Sequence, residues 1–147
     1  MYFEIDGNLG NTKISLEENF ENDSDQYHYI DINSIISIKS GNFFGSGSAI
    51  FTTIDILNFY DELVECYKNL EGEAKLAAYQ DCDFELLIVF SKLGGVTCKG
   101  HYHESWQSNN ELNYRYESDQ TYIAETIKQL KPIVQNIKEI NELHITP

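Results

Sequence analysis

The sequence IDINSIISI, residues 30–38, decides the fold class. Isoleucines at positions 30, 32, 36 and 38 alternate with the polar residues Asp31, Asn33 and Ser37. A period of two is typical of a strand that buries one face and exposes the other, as strands of antiparallel sheets do. The pattern predicts a half-buried strand from Tyr27 to Ile38, with a possible break at Asn33-Ser34.

The strand signal recurs along the chain. It is found in residues 12–18, 75–80, 84–90, 96–102 and 112–116, and is weakest in the second of these. Residues 84–90 are apolar on both faces, which predicts a central strand covered on both sides. Gly94-Gly95 predicts a turn. The segment Phe43–Phe51 reads as a loop that leads into a strand.

Two stretches change to the helical period. Residues 54–70 carry apolar side chains three and four positions apart, with Thr52 or Thr53 as N-cap and Gly72 as the end. A second helix begins after Ser118 or Asp119. Its apolar stripe is Ile123, Ile127, Leu130, Val134 and Ile137, and Pro132 within it predicts a kink or restart.

The order of these elements indicates an α+β fold. We expect one domain over residues 1–147, with an antiparallel β-sheet of about seven strands packed with two amphipathic α-helices.

The charge of the chain limits its partners. There are 24 Asp and Glu residues against 10 Lys and Arg, so the net charge is −14 in 147 residues. Such a surface repels phosphate backbones and anionic lipids, so we expect no nucleic-acid and no membrane partner. It attracts a basic partner from a distance. The alternative is that the acidity serves solubility alone.

The lack of a recognisable targeting signal and the cysteine usage favour a cytoplasmic protein. The N-terminus MYFEIDGNLG has neither a basic n-region nor an apolar h-region. No apolar run approaches the roughly 18 residues that a membrane helix needs. Cys66, Cys82 and Cys98 are odd in number and lack CxxC spacing, which predicts buried free thiols.

Metal and catalytic interpretations rest on few residues. His101 and His103 share one strand face, whereas Cys98 has the opposite parity, so the three do not converge. His28 is the only further histidine suited to join them, and a tetrahedral site needs four ligands. We therefore expect no metal, no cofactor and no catalytic residues. A small metal-dependent hydrolase that uses His101 and His103 is the alternative function.

Partner contacts are predicted in the acidic N-terminal half. No Lys or Arg lies between Lys13 and Lys39, where several carboxylates cluster. Hot spots are mostly aromatic or Arg side chains, so nearby aromatics are the expected anchors. The interface candidates are Glu17, Glu18, Phe20, Glu21, Asp23, Asp25, Tyr27, Tyr29 and Trp106. The alternative is a solvated loop between two strands.

Four segments share a pattern with a known family. They are Asn58–Leu63, Cys66–Leu76, Val96–Tyr102 and Asn110–Ile123. Together they resemble the WapI-type immunity proteins of bacterial polymorphic toxin systems. The resemblance spans roughly residues 2–130, and its most specific blocks are Glu71–Leu76 and Ser118–Ile123.

The resemblance implies a function without catalysis. Proteins of this family bind and neutralise a cognate toxin domain, and the family supplies no active-site residues to carry over. Many toxins that act in the cytosol are nucleases with basic substrate channels, so a nuclease captured by electrostatically steered binding is the expected partner. A generic acidic regulatory adaptor is the alternative of the same physical class.

Overall fold

A computed structural model describes residues 1–17, 29–105 and 108–145. Within these residues the chain forms eight strands and two α-helices. Their bounds are β1 Tyr2–Gly7, β2 Gly10–Leu16, β3 Asp31–Ser40, β4 Phe43–Thr52, α1 Thr53–Asn69, β5 Gly72–Ala78, β6 Asp83–Phe90, β7 Gly95–His103, β8 Glu111–Asp119 and α2 Gln120–Ile145. A short 3-10 turn, Lys92–Gly94, joins β6 to β7, where the sequence predicts a turn.

The strands divide between two antiparallel sheets of four. The first has the order β1-β2-β3-β4 and the second the order β5-β6-β7-β8, and a helix follows each. The α+β class with two helices is confirmed. Isolated bridges between Asn8 and Glu117 and between Ile50 and Gln80 connect the sheets at two corners. Each half of the chain therefore consists of a four-stranded sheet followed by one helix.

Tyrosines of the second sheet dock onto the first. Tyr116 lies over Gly10, where an added Cβ would stand 2.2 Å from the Tyr116 ring. The Tyr116 hydroxyl donates to the carbonyl of Ile5 at 2.7 Å and lies 2.8 Å from the Thr12 hydroxyl. These bonds keep a buried hydroxyl paired, as a low-dielectric interior requires. The sheets are thus held by directed contacts as well as by apolar packing.

Each helix packs on the first strand of the other sheet. Helix α1 contacts β5, α2 contacts β1, and the helices contact each other. The rings of Phe3 in β1 and Phe59 in α1 lie 6.0 Å apart. On α2, the Thr126 hydroxyl donates to the backbone carbonyl of Glu4 at 2.7 Å, and the side-chain Oε1 atom of Gln129 accepts from the backbone amide of Glu4 at 2.8 Å. The two halves are interlocked through these contacts.

Helix α1 begins with a capping box. The Thr52 hydroxyl accepts from the amide of Asp55 at 3.1 Å, and the Asp55 carboxylate accepts from the amide of Thr52 at 2.8 Å. Of the two candidates, Thr52 is therefore the N-cap. The predicted end at Gly72 is wrong, because Leu70 takes the left-handed conformation at φ 54° and Gly72 already begins β5 at φ 101°.

Two loop and strand-break predictions are wrong. Residues 43–48 belong to strand β4, whose whole length pairs with β3 from Phe43 opposite Ser40 to Thr52 opposite Asp31. Its glycines serve close packing, since Gly45 faces the Leu112 side chain and Gly47 faces Tyr102. Strand β3 is uninterrupted because Asn33 and Ser34 stay in this register.

Strand β6 and helix α2 differ from expectation in one respect each. Strand β6 is an inner strand, but Leu87 and Val89 on its outer face are only partly covered. Helix α2 continues through Pro132, so the restart predicted there does not occur, and Pro132 lies on the exposed side of the helix. Water can therefore bind the carbonyl four residues earlier that the proline leaves without a donor. The candidate cap Asp119 accepts from the amides of Thr121 and Tyr122 at the helix start.

Alkaline pH should destabilise the protein through buried acids of the sheet interface. Burial raises the pKa of the Cys98 thiol to about 12 and the pKa of the Tyr116 hydroxyl far above its usual range. In the unfolded chain the pKa is about 8.5 for Cys and about 10 for Tyr. Above those pH values the unfolded chain binds fewer protons than the folded chain, so the free energy of unfolding falls. Urea unfolding at increasing pH measures this loss. A Tyr116→Phe variant should show a shallower decline above about pH 10, and an equal decline would contradict the assignment to Tyr116.

Candidate functional site

A groove of about 540 Å³ crosses the outer face of the first sheet. The ends of β2, β3 and β4 and the turn between β5 and β6 form its walls. Ile35 lies in the groove with 52% of its side chain exposed, in register with Ser15 and Ser48 on the neighbouring strands. Ile50 of β4 lines it as well. The groove therefore offers an apolar surface to a partner's side chain.

The rim of the groove is acidic. Glu17 and Asp81 line it, and none of the described lining residues is Lys, Arg or His. The Glu17 carboxylate accepts from the side-chain amide of Asn33 at 3.3 Å, and the Glu17 backbone amide donates to the Asn33 carbonyl at 3.0 Å. Glu17 is thus fixed to β3 at its backbone while its charge stays exposed.

Residues 17–25, the acidic run, start at this groove. The chain leaves the groove at Glu17 and rejoins the first sheet at Ile30, just before β3. The Ile30 amide donates to the Thr53 hydroxyl at 3.2 Å, and the Thr53 amide donates to the Ile30 carbonyl at 2.9 Å. Tyr29, just before this anchor, is 40% exposed. Both ends of the segment lie at the end of the first sheet that carries the groove.

Two of the predicted interface residues are therefore placed, and the others are not. Glu17 lines the groove, and Tyr29 is exposed just before β3 without lining the groove. The remaining candidates, which lie outside the described residues, are Glu18, Phe20, Glu21, Asp23, Asp25, Tyr27 and Trp106.

Sequence reasoning missed Ile35, Ile50 and Asp81. Ile35 carries a readable signal, because it is an isoleucine at the polar parity of an otherwise alternating strand. Asp81 carries none, since it reaches the groove from a turn that follows β5.

A second polar cluster lies on the outer face of the second sheet. The His101 Nε2 atom is 2.9 Å from the Asp83 Oδ1 atom and 3.9 Å from the Glu85 Oε2 atom. Among the described residues these three form the one group whose ligand atoms could hold a metal ion. Cys98 points to the interior, as its parity predicts. The second predicted histidine, His103, is bonded instead to the Ser108 carbonyl, and His28 lies outside the described residues.

The buried cysteines do not resemble catalytic nucleophiles. Cys66, Cys82 and Cys98 are free and buried, as predicted. Burial is the main cause that raises the pKa of each thiol. A nucleophilic cysteine needs the opposite, a lowered pKa that supplies thiolate at neutral pH.

Comparison with known families decides the identity of the chain. The family described as "Immunity protein WapI-like family" matches residues 4–138, which is 135 of the 147 residues. The chain belongs to the WapI-like immunity protein family. The resemblance read from the sequence is therefore confirmed. No curated protein matches the chain.

Membership in the WapI-like immunity protein family gives the chain an immunity function. Its partner is a cognate toxin, and its role is that of a toxin inhibitor, for which the family suggests no enzymatic activity. Within the described residues, neither helix has the length and apolar character needed to cross a bilayer.

Proposed function

We propose that this WapI-like protein neutralises its toxin in the cytoplasm by binding a basic surface of the toxin in the groove of the first sheet. The observation that carries the proposal is the coincidence of an apolar groove, an acidic rim and the start of the acidic run at one end of that sheet. No chemical step is required of the immunity protein.

Electrostatic attraction supports the proposal at the stage of encounter. Five carboxylates fall within the acidic run, and no Lys or Arg lies between Lys13 and Lys39 in the sequence. Complementary charge raises association rates by orders of magnitude at low salt. Fast capture suits an inhibitor that must bind its toxin before the toxin reaches its substrate.

Apolar contact supports the proposal after encounter. Charged rims contribute mainly to association rate, while the residence time of a complex depends on buried anchors. Ile35 is the exposed apolar residue of the groove that lies between Ser15 and Ser48 on the neighbouring strands, and Ile50 lines the groove as well. Tyr29 can extend the contact, and Trp106 is a further candidate.

The chemistry of the toxin follows from the same charge argument. A nuclease binds a polyanion, so its substrate channel carries Lys and Arg side chains. An inhibitor with a net charge of −14 is suited to cover such a channel or a basic patch beside it. We propose a nuclease toxin on this ground.

Neutralising the acidic run should slow capture without unfolding the protein. In the test variant, Glu17, Glu18 and Glu21 become Gln, and Asp23 and Asp25 become Asn. We expect the association rate constant to fall about tenfold at low salt, because long-range attraction is lost. The dissociation rate should change little. Rapid mixing with the toxin domain at several salt concentrations measures both effects.

A matched control removes the same charge elsewhere. Its five neutralised positions, all exposed and none of them lining the groove, are Asp61, Glu65, Glu71, Glu73 and Glu125. This variant should keep most of the association rate of the parent protein. If both variants lower the association rate constant equally, the net charge of the protein sets the rate and the acidic run is not a binding surface.

A further inference from the structure

We infer that Asp83, Glu85 and His101 bind a divalent transition-metal ion of the zinc class on the outer face of the second sheet. This site is separate from the groove and goes beyond the proposed toxin binding. It departs from the sequence expectation of no metal, because Asp83 and Glu85, rather than His103, lie beside His101. It uses one imidazole nitrogen and two carboxylate oxygens, which lie within 4.8 Å of one another.

The backbone places the three side chains together. Glu85 in β6 lies directly opposite His101 in β7, and Asp83 precedes Glu85 by two residues on the same face. Both strands are inner strands of their sheet, paired on each side. The positions of the ligands are therefore set by the register of two fixed strands, which favours a preorganised site.

The distances suit a tetrahedral ion after a small adjustment. Two ligand atoms about 2.0–2.1 Å from zinc at the tetrahedral angle are separated by about 3.3 Å. The His101 Nε2 atom is 2.9 Å from the Asp83 oxygen and 3.9 Å from the Glu85 oxygen, on either side of that value. Side-chain rotations that move the ligand atoms by a few tenths of an ångström can bring both distances close to that value.

The ligand types select the metal. Imidazole suits zinc and similar transition metals, whereas magnesium and calcium prefer shells of oxygen ligands. Two carboxylates balance the charge of a divalent ion. All three side chains are partly exposed, so a fourth coordination position is open to water or to a group from a partner.

The neighbours of Glu85 set its orientation and limit the affinity. Lys75 Nζ is 3.1 Å from the Glu85 Oε1 atom, while the Tyr79 hydroxyl donates to Oε2 at 3.3 Å. The lysine holds one oxygen, and the other, which accepts from Tyr79, lies 3.9 Å from the His101 Nε2 atom. The positive charge of the lysine opposes a cation nearby and should lower the affinity of the site.

Calorimetric titration with zinc chloride tests the site. The full chain is purified without a histidine tag and stripped with a chelator. We expect one zinc per chain, a dissociation constant at least tenfold weaker in His101→Asn and in Glu85→Gln, and no binding of magnesium. Circular dichroism spectra check that both variants fold.

A control on the same strand sharpens the test. His103 shares the face of His101 but contacts Ser108, so His103→Asn should bind zinc like the parent. No zinc binding by the parent, or unchanged binding by His101→Asn and Glu85→Gln, would overturn the inference. So would an equal loss in His103→Asn. The zinc titration does not involve the toxin, so its result is independent of the groove proposal.

Discussion

Replacing Gly10 by alanine should lower the free energy of unfolding by about 2–3 kcal/mol, the upper range for overpacking a core. The new Cβ would stand 2.2 Å from one ring carbon of Tyr116 and 2.5 Å from its Cβ. The tyrosine cannot withdraw easily, because its hydroxyl is bonded to the Ile5 carbonyl and to the Thr12 hydroxyl. Relief of the clash therefore requires the two sheets to separate or the hydroxyl bonds to break.

Urea unfolding of the parent and of Gly10→Ala measures this effect. A double-mutant cycle supplies the control, since in a Tyr116→Gly background the alanine at position 10 meets neither the ring nor the Cβ of residue 116 and should cost much less. An equal cost in both backgrounds would mean that the close approach of Tyr116 is not the cause.

Local patterns were sufficient for most elements of the fold. The isoleucines of β3 at positions 32, 36 and 38 are fully buried, as their alternation predicts, and the capping box of α1 follows from Thr52 and Asp55. These features depend on residues within a few positions of each other. Periodicity and capping chemistry therefore suffice to predict them.

Features that depend on distant residues were not predictable. The glycines of β4 look like a loop, because their need for space comes from Tyr102 and Leu112, more than 50 positions away along the chain. The division into two sheets depends on the same long-range packing. The groove shows the limit again, since Glu17 and Ile35 can be read from local sequence but Asp81 joins them only in the folded protein.

Replacing Ile35 by aspartate should weaken toxin binding at least about 30-fold, or about 2 kcal/mol, as expected for loss of a central anchor. The groove would lose its exposed large apolar side chain, and the new carboxylate would have to be desolvated against the toxin. The side chain is 52% exposed, so the fold should remain intact. Surface plasmon resonance with the toxin domain should show the loss as faster dissociation.

The added negative charge makes this substitution decisive between two mechanisms. If the acidic surface alone holds a basic toxin, one more carboxylate in the groove should tighten binding; if an apolar toxin side chain enters the groove, the same change must weaken it. Ser37→Asp is the matched control, because it adds the same charge two residues along the same strand face and does not line the groove. Weak binding by Ile35→Asp beside normal or tighter binding by Ser37→Asp would assign affinity to the anchor. Equal or tighter binding by both would leave the groove without a role in affinity.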